Sequence, residues 1–305
     1  MILHSKVTVC VCMLAHNEEK NIENTLQSIC IAEEMNNIPI YVYANGCTDK
    51  TEEVVTNFTQ LHNNVNLCSL SIASKANAWN VAFSEQNTDF IVFSDGDTVV
   101  APGVAMQLVN ELGSVPDAII ATCQQEIMDV DLSFQQKLVG FMQIPLAQDF
   151  LVGRFYVVRR QALLELLEQK GFTGLPPGVV GEDAFLDFLV GQERLFVSNT
   201  CAGYVPPNFN DYSCYFARIR WQNEQIRHYW QNLTPKCSSW KKFSKKLMHI
   251  RSVRYFLVAT LAVTLRSVFK MVFSSQIDNH YINLGQLRKN GAEVLSSATR
   301  SLSTK

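Results

Sequence analysis

Hydrophobic and polar residues alternate between two spacings over the first hundred positions of the chain. Runs of consecutive apolar residues, typical of strands buried on both faces, predict strands at residues 7–14, 39–44 and 90–93, and a weaker apolar pattern predicts a strand at 65–71. Apolar residues at helical spacing predict helices at residues 19–31, after Asp49, and at 75–83. This alternation predicts an α/β, Rossmann-like sheet that is mainly parallel and covered by helices.

The pattern becomes less regular after residue 100. Helices are predicted at residues 104–112, 132–147 and 160–169, and strands at 118–123 and 151–158. Four glycines and two prolines then fall between residues 171 and 181 and predict a long loop, long enough to form a lid or the wall of a binding site. An apolar helix at residues 184–190 follows this loop.

The fourth predicted strand ends in two carboxylates, in the sequence Asp95-Gly96-Asp97. If the backbone stays extended there, side chains two residues apart point the same way, at the strand end where open α/β sheets bind ligands. Two neighbouring carboxylates repel unless a cation lies between them, and oxygen ligands suit Mg²⁺ or Mn²⁺. The alternative interpretation is a polar turn after a strand, since Asp-Gly is common in turns.

Composition limits the class of protein. The chain has 305 residues, 47% of them hydrophobic and 18% charged, so a folded chain of one large or two smaller domains is expected. The net charge of -2 gives no reason to expect nucleic-acid binding. The nine cysteines form no C-x-x-C pair and are expected to be buried thiols in a reducing compartment, which predicts a cytoplasmic location.

Two common nucleotide-binding motifs are absent from the sequence. Without G-x-G-x-x-G, a dinucleotide-dependent oxidoreductase is not expected, and without G-x-x-x-x-G-K-[ST], neither is a P-loop NTPase. A nucleotide can still bind across the carboxyl ends of the parallel strands.

Five short motifs, in order and suitably spaced, resemble those of the inverting glycosyltransferases of family 2. They are Leu14-Ala15-His16-Asn17-Glu18-Glu19, Asn45-Gly46-Cys47-Thr48-Asp49, Lys75-Ala76-Asn77-Ala78-Trp79-Asn80, Asp95-Gly96-Asp97 and Gly181-Glu182-Asp183. The resemblance covers roughly residues 6–225 and implies the GT-A fold, a mixed, mainly parallel sheet flanked by helices, with a C-terminal helical segment beyond it. The implied glycosyltransferase domain is 1–235, with a nucleotide-binding half at 1–100 and an acceptor half at 101–235.

The resemblance also implies a role for each motif. The implied donor-binding residues are Ala15, Asn17, Glu18, Asn45, Asp49, Lys75, Asp95, Asp97 and Arg220. Asp97, with Asp95, would coordinate a Mg²⁺ or Mn²⁺ ion that bridges the donor diphosphate. Asp183 would be the catalytic general base, with Glu182 as the alternative, and Gly153 and Trp221 would lie on the acceptor side.

Two departures from the family pattern affect specificity. Asn45 stands where the family usually has Asp, which makes recognition of uracil less certain, although an amide can still hydrogen-bond a base. Processive members carry Q-x-x-R-W, whereas this chain has Ala217-Arg218-Ile219-Arg220-Trp221. A non-processive transferase of single sugars is therefore expected.

The C-terminal segment at 236–305 is predicted to be a basic amphipathic helical tail. Between residues 235 and 276 it has nine Lys or Arg residues and no Asp or Glu, and its apolar run near 255–263 is too short to span a bilayer. One interpretation is that residues 236–275 lie peripherally on the inner face of an anionic membrane. The other is that they pack on the catalytic domain.

These observations favour a metal-dependent, inverting transfer of a sugar from a nucleotide sugar, with UDP as the favoured nucleotide, to a sugar or lipid-linked acceptor. One alternative is a sugar-1-phosphate nucleotidylyltransferase, which needs a glycine-rich loop that residues 15–18 lack. The other is a catalytically inactive module that binds nucleotide sugars or membranes.

Overall fold

The computed structural model describes residues 7–32, 35, 37–128, 130–143, 150–229 and 253–282. The chain forms two compact units: unit 1 comprises Met1–Glu126 and Asp149–Tyr204, and unit 2 comprises Ile127–Gln148 and Val205–Lys305. Most of the predicted basic tail lies outside the described residues, at 236–252 and 283–305. The predicted division of the chain at residue 235 lies within residues 230–252, which are outside the described residues, and it stays a prediction.

In the described residues, eight strands form one sheet. They are β1 (Val9–Ala15), β2 (Ile40–Asn45), β3 (Val65–Leu70), β4 (Phe90–Asp95), β5 (Val99–Val100), β6 (Ile120–Ile127), β7 (Phe155–Arg159) and β8 (Leu195–Tyr204). Their order is β3-β2-β1-β4-β7-β6-β8-β5. The first four strands pair in parallel, whereas β7 runs antiparallel to both β4 and β6. The carboxyl ends of β1, β2 and β4 therefore meet at one edge, beside the start of β7.

The helices connect these strands or belong to unit 2. They are α1 (Ile22–Cys30), α2 (Thr51–Thr59), α3 (Lys75–Glu85), α4 (Val104–Ser114), α5 (Phe134–Met142), α6 (Arg160–Gln169), α7 (Glu182–Val190), α8 (Phe209–Tyr229) and α9 (Val253–Val272). The predicted helical spacing is seen in α1, which buries Ile22, Leu26 and Ile29 against the sheet. This burial explains why the strand–helix alternation could be read from apolar positions alone.

One predicted strand begins later than its apolar residues suggested. Leu151 and Val152 are buried, but β7 begins at Phe155. The Leu151 N–H donates to Asp187 Oδ1 at 2.8 Å, and the Val152 N–H donates to Thr122 Oγ1 at 3.1 Å. Because side-chain acceptors satisfy these backbone groups, the segment needs no neighbouring strand.

Unit 2 is helical in its described part. Helices α5, α8 and α9 share a core that includes Val139, Tyr212, Phe216 and Phe269. The guanidinium of Arg266 donates through Nε to the carbonyl of Met142 at 2.8 Å and so joins α9 to the end of α5. Within the described residues, no helix combines the length and apolar character needed to cross a membrane.

Candidate functional site

The strand β4 delivers two aspartates to the carboxyl edge of the sheet, but not in the predicted geometry. The strand ends at Asp95, and the backbone turns at Gly96 and Asp97. The backbone therefore does not stay extended through both aspartates, the turn given as the alternative interpretation is present, and each carboxylate contacts a different cation. Asp95 Oδ1 lies 2.6 Å from Lys75 Nζ, whereas Asp97 Oδ2 lies 3.3 Å from Arg154 Nη1.

Lys75 joins two of the sequence motifs. It is the first residue of α3, which is capped by Ser74 through a hydrogen bond from the Asn77 N–H. Its ammonium lies 2.6 Å from Asp95 and 2.5 Å from Glu182 Oε1. Burial lowers the pKa of Lys75, but the carboxylates around it outweigh burial and raise this pKa above its ordinary value. Lys75 is therefore a permanent cation between the two acidic motifs.

The second acidic motif opens α7. Gly181 precedes the helix with a left-handed backbone (φ 74°), and Glu182 and Asp183 form its first turn, where a helix favours negative charge. The Ala184 N–H donates to Asp183 Oδ1 at 2.8 Å. Burial raises the pKa of Asp183 above its ordinary value, although the positive charge of Lys75 opposes this. Burial also raises the pKa of Glu182, and the positive charge of Lys75 opposes this rise as well.

Gly153 lies directly against Asp183. A Cβ atom added at Gly153 would lie 2.8 Å from Asp183 Cβ and 2.9 Å from Asp183 Oδ2, closer than such atoms normally approach. The pairing of β4 with β7 fixes this position, because the Asp95 N–H donates to the Arg154 carbonyl at 2.9 Å. The structure thus brings the predicted acceptor-side glycine to the predicted base.

Arg154 was missed by the sequence analysis. Its guanidinium contacts Asp97 and lies 4.5 Å from the centroid of the Tyr204 ring. None of the five motifs contains it, and only the antiparallel pairing of β7 with β4 brings it to Asp97. The one available signal was its position next to Gly153 at the start of a predicted strand.

The loops after β1 and β2 hold one another through predicted donor-binding residues. The Asn45 amide is buried and donates to the Ala15 carbonyl at 2.7 Å, and Asn17, with a left-handed backbone, accepts from the Thr48 N–H at 2.8 Å. The carboxylate of Asp49 accepts from the backbone N–H of Thr51 and of Glu19. These contacts fix the shape of the loops, and the predicted contacts with a nucleotide stay predictions.

Glu18 lies close enough to other carboxylates of the site for their charges to affect its pKa. Burial raises its pKa to about 7; a hydrogen bond from Asn21 opposes the rise, and the charges of Asp97, Asp95 and Asp49 add to it. Burial also raises the pKa of Asp95, to about 6, against the opposing charge of Lys75. Carboxylates therefore exceed cations here, which favours binding of a further cation.

The described residues contain no group of three or more His, Cys, Asp or Glu side chains arranged to hold a metal ion. Mg²⁺ is commonly bound by one or two carboxylates together with substrate phosphates and water, rather than by a full set of protein ligands. Asp97, whose side chain is 40% exposed, and Asp95 provide such a partial set. These residues fit a divalent ion that is held jointly with a diphosphate.

The loop at residues 171–181 is attached to α3. Asn80 Nδ2 donates to the Leu175 carbonyl at 2.9 Å, and the Leu175 N–H donates to Asn80 Oδ1 at 2.8 Å. A Cβ atom at Gly174 would lie 2.6 Å from Asn80 Oδ1, so this approach requires glycine. Asn80 ends the Lys75 motif, and its function in holding this loop was not predicted.

Two predicted site residues lie in unit 2. Arg220 Nη1 lies 2.8 Å from Asp278 Oδ1, and the Arg220 guanidinium also lies 4.2 Å from the centroid of the Tyr281 ring. The ring of Trp221 lies 5.4 Å from that of Tyr281. The predicted contacts of Arg220 with the donor and of Trp221 with the acceptor stay predictions.

Comparisons with known proteins bear on the family and the fold of the chain. A family model described as glycosyl transferase family 2 matches residues 10–168. The mannosyltransferase PcManGT from Pyrobaculum calidifontis, solved with GDP-Man and Mn²⁺, has a TM-score of 0.58 and 17% identity, covering 99% of this chain and 89% of that chain. Glucosyl-3-phosphoglycerate synthase from Mycobacterium tuberculosis, solved with Mn²⁺, UDP and glucosyl-3-phosphoglycerate, has a TM-score of 0.51 and 18% identity, covering 73% and 80%. A search of curated protein sequences gave no significant match. The predicted GT-A fold is thereby confirmed.

Proposed function

The chain belongs to glycosyl transferase family 2, and we propose that it transfers a sugar from a nucleotide-sugar donor to an acceptor hydroxyl, one sugar at a time and with inversion at the anomeric carbon. The predicted family and enzyme class are confirmed by the family match, which favours them over a nucleotidylyltransferase. The observation that carries the finer proposal is the position of Lys75, within 2.6 Å of both Asp95 and Glu182. This pair of contacts supports the proposal that the donor-side and acceptor-side motifs form one site.

The donor diphosphate is proposed to bind over Asp95 and Asp97, together with Mg²⁺ or Mn²⁺. When bound, this ion supplies Lewis acidity that stabilises the negative charge of the departing nucleoside diphosphate. Lys75 and Arg154, which contact the two aspartates, add positive charge beside the same group. The two similar structures were solved with Mn²⁺ and with GDP-Man or UDP, which supports this class of donor.

The general base is proposed to be Asp183. It would accept the proton of the acceptor hydroxyl while that oxygen attacks the anomeric carbon, opposite the bond to the departing diphosphate. Its raised pKa supports this, because a base works best when its pKa approaches the working pH. Glu182 is a weaker candidate, since it is only 3% exposed and pairs with Lys75.

Unit 2 supplies a proposed contact with a membrane surface on the cytoplasmic side. The helix α9 exposes a stripe of apolar side chains: Val258, Leu261, Val268, Met271 and Val272. The surrounding sequence from 235 to 276 has nine basic residues and no acidic residue, which suits anionic lipid headgroups. Such a location would fit a lipid-linked acceptor, whereas a soluble sugar acceptor would not need it.

The test combines binding with turnover. Thermal unfolding is measured with UDP, GDP, dTDP and CDP, each with and without Mn²⁺, because a ligand of the folded state raises the melting temperature. Release of the matching nucleoside diphosphate from its sugar donors is then measured for the intact chain and for Asp183→Asn. We expect turnover to fall roughly 10²–10⁴-fold while the nucleotide-induced shift is retained.

The matched control is Asp117→Asn, which removes a carboxylate from an exposed position in unit 1 and should leave both measurements unchanged. Unchanged turnover in Asp183→Asn would remove Asp183 as the base. If no nucleotide raises the melting temperature with or without Mn²⁺, the donor site itself is wrong.

A further inference from the structure

Unit 2 contains a cavity of about 490 Å³ between one face of α8 and the helical residues that follow Lys270. Its lining residues are Phe216, Ile219, Arg220, Asn223, Glu224, Arg227, Lys270, Ser274, Ile277 and Asp278. The α8 members recur every three or four residues and so share one helix face. The volume is within the range of small-molecule sites.

The two carboxylates of this cavity both have partners. Arg220 pairs with Asp278 at 2.8 Å and approaches Glu224 at 3.7 Å. The hydroxyl of Tyr281 also donates to Glu224. One guanidinium and one neutral hydroxyl therefore contact both carboxylates, and the lining as a whole has three basic and two acidic side chains.

The remaining cations of the cavity lack such partners. Among the residues that the structure describes, neither Arg227 nor Lys270 pairs with a carboxylate. Lys270 Nζ lies 4.5 Å from the centroid of the Phe216 ring, and burial and the charge of Arg266 lower its pKa. A cavity with paired acids and two unpaired cations has a net attraction for an anion.

The uncharged residues of the lining indicate which kind of anion would fit the cavity. Asn223 and Ser274 offer hydrogen-bond donors, and Phe216, Ile219 and Ile277 offer apolar surface. A phosphate ester has several anionic oxygens that can contact two separate cations and donors at once, and it carries an organic group that can cover apolar side chains.

We propose that this cavity binds a phosphate-bearing organic molecule, with Arg227 and Lys270 as its charge partners. The phosphate could belong to a soluble phosphate ester or to a lipid headgroup, which share this chemistry. The cavity lining contains none of the unit 1 carboxylates, but it includes Arg220, which the motif resemblance assigns to donor binding.

The test uses the full-length chain and two probes. Calorimetry measures binding of glycerol 3-phosphate, and co-sedimentation compares phosphatidylcholine vesicles with and without phosphatidic acid. We expect Arg227→Gln with Lys270→Gln to weaken binding of the phosphate probe roughly 10-fold or more. The control Arg218→Gln removes one positive charge from α8 at a position outside the cavity lining and should change binding less than about twofold. Because unit 1 is unchanged in all variants, any phosphate that binds there contributes equally to each measurement and does not affect the comparison.

Each outcome decides the proposal. Binding of glycerol 3-phosphate that depends on the two cations assigns a soluble ester, and binding seen only with phosphatidic acid vesicles assigns a headgroup. If the double variant does not fold, Ser274→Glu, which adds a carboxylate at an exposed helical position of the lining, should weaken binding similarly. The proposal is overturned if neither probe binds, if the cavity variants bind as tightly as the intact chain, or if Arg218→Gln weakens binding equally.

Discussion

The acidic site of unit 1 and the cavity of unit 2 balance charge in opposite ways. In unit 1, Lys75 and Arg154 both contact carboxylates within 3.3 Å, and further carboxylates remain. In the cavity, Arg220 contacts both carboxylates, Arg227 and Lys270 have no acidic partner in the described part of the chain, and basic side chains outnumber acidic ones by one. The first arrangement attracts a cation, and the second attracts an anion.

The difference shows that ion pairs alone do not identify a binding site. Both regions contain close pairs, and exposed pairs contribute little to stability. What separates the regions is the charge that remains after pairing. In unit 1 the excess of negative charge also acts on Glu18. Burial raises the pKa of Glu18 to about 7, and the charges of neighbouring aspartates contribute to this rise. Substitutions that change the charge left after pairing, or the geometry around it, should therefore affect the two regions differently.

The largest effect is expected for Asp97→Asn in unit 1. Removal of this exposed carboxylate takes away half of the proposed metal-binding pair, so Mn²⁺-dependent binding of the preferred nucleotide should weaken roughly 10²–10³-fold. Calorimetric titration with nucleotide in the presence and absence of Mn²⁺ measures the change. Asp117→Asn is the matched control, and equal Mn²⁺ dependence in both variants would contradict a metal at Asp97.

Gly153→Ala tests geometry without changing charge. The new Cβ would lie 2.8–2.9 Å from Asp183 atoms, so the carboxyl must move. Turnover is expected to fall roughly 10–100-fold, since small displacements of reacting groups are costly, with about 1–3 kcal/mol of lost stability. In the control, Gly113→Ala, no atom lies within 4 Å of the new Cβ, so turnover should be unchanged. Full activity of Gly153→Ala would separate Asp183 from the chemistry.

Most of the parallel half of the sheet was predictable, because β1, β2 and β4 are buried on both faces and their apolar residues are consecutive. The strands β5 and β8 were not predicted. β5 has only two residues, and β8 has polar residues, Ser198 and Thr200, at buried positions, so its apolar pattern is weak. The helix α8 was also missed, because its buried residues occupy only its first half. These elements depend on tertiary partners rather than on local pattern.

The candidate site could be predicted as a set of residues, but its contacts could not. The motif resemblance named Lys75, Asp95 and Glu182 without indicating that one ammonium joins the two carboxylates. The turn at Gly96 was one of two interpretations of the sequence, because the sequence does not reveal where an apolar strand stops being extended. Arg154 reaches the site only through antiparallel pairing, which a local pattern does not specify.

A smaller effect is expected for Asp278→Asn in unit 2. This change removes one of the two carboxylates that Arg220 contacts, so the excess of positive charge in the cavity increases. Phosphate-probe affinity should rise about 3–10-fold, with less than about 1 kcal/mol of lost stability, because the broken pair is exposed. Calorimetry measures the gain. Asp211→Asn removes an acid of unit 2 that does not line the cavity, and an equal gain there would show that only overall charge matters.

The smallest effect is the pH dependence that Glu18 contributes to stability. Its folded pKa of about 7 lies above the ordinary 4.5, so its contribution is fully present below pH 4.5 and is lost as the pH rises through 7. Because the side chain is partly exposed, the loss should be about 1 kcal/mol, or about 2–4 °C in melting temperature. Glu18→Gln should therefore raise the melting temperature, relative to the intact chain, more at pH 8 than at pH 5. Glu23→Gln, at an exposed position of α1, is the matched control. If both variants follow the pH profile of the intact chain, the excess of carboxylates in unit 1 does not act on Glu18, and the contrast with the cavity of unit 2 would rest on geometry alone.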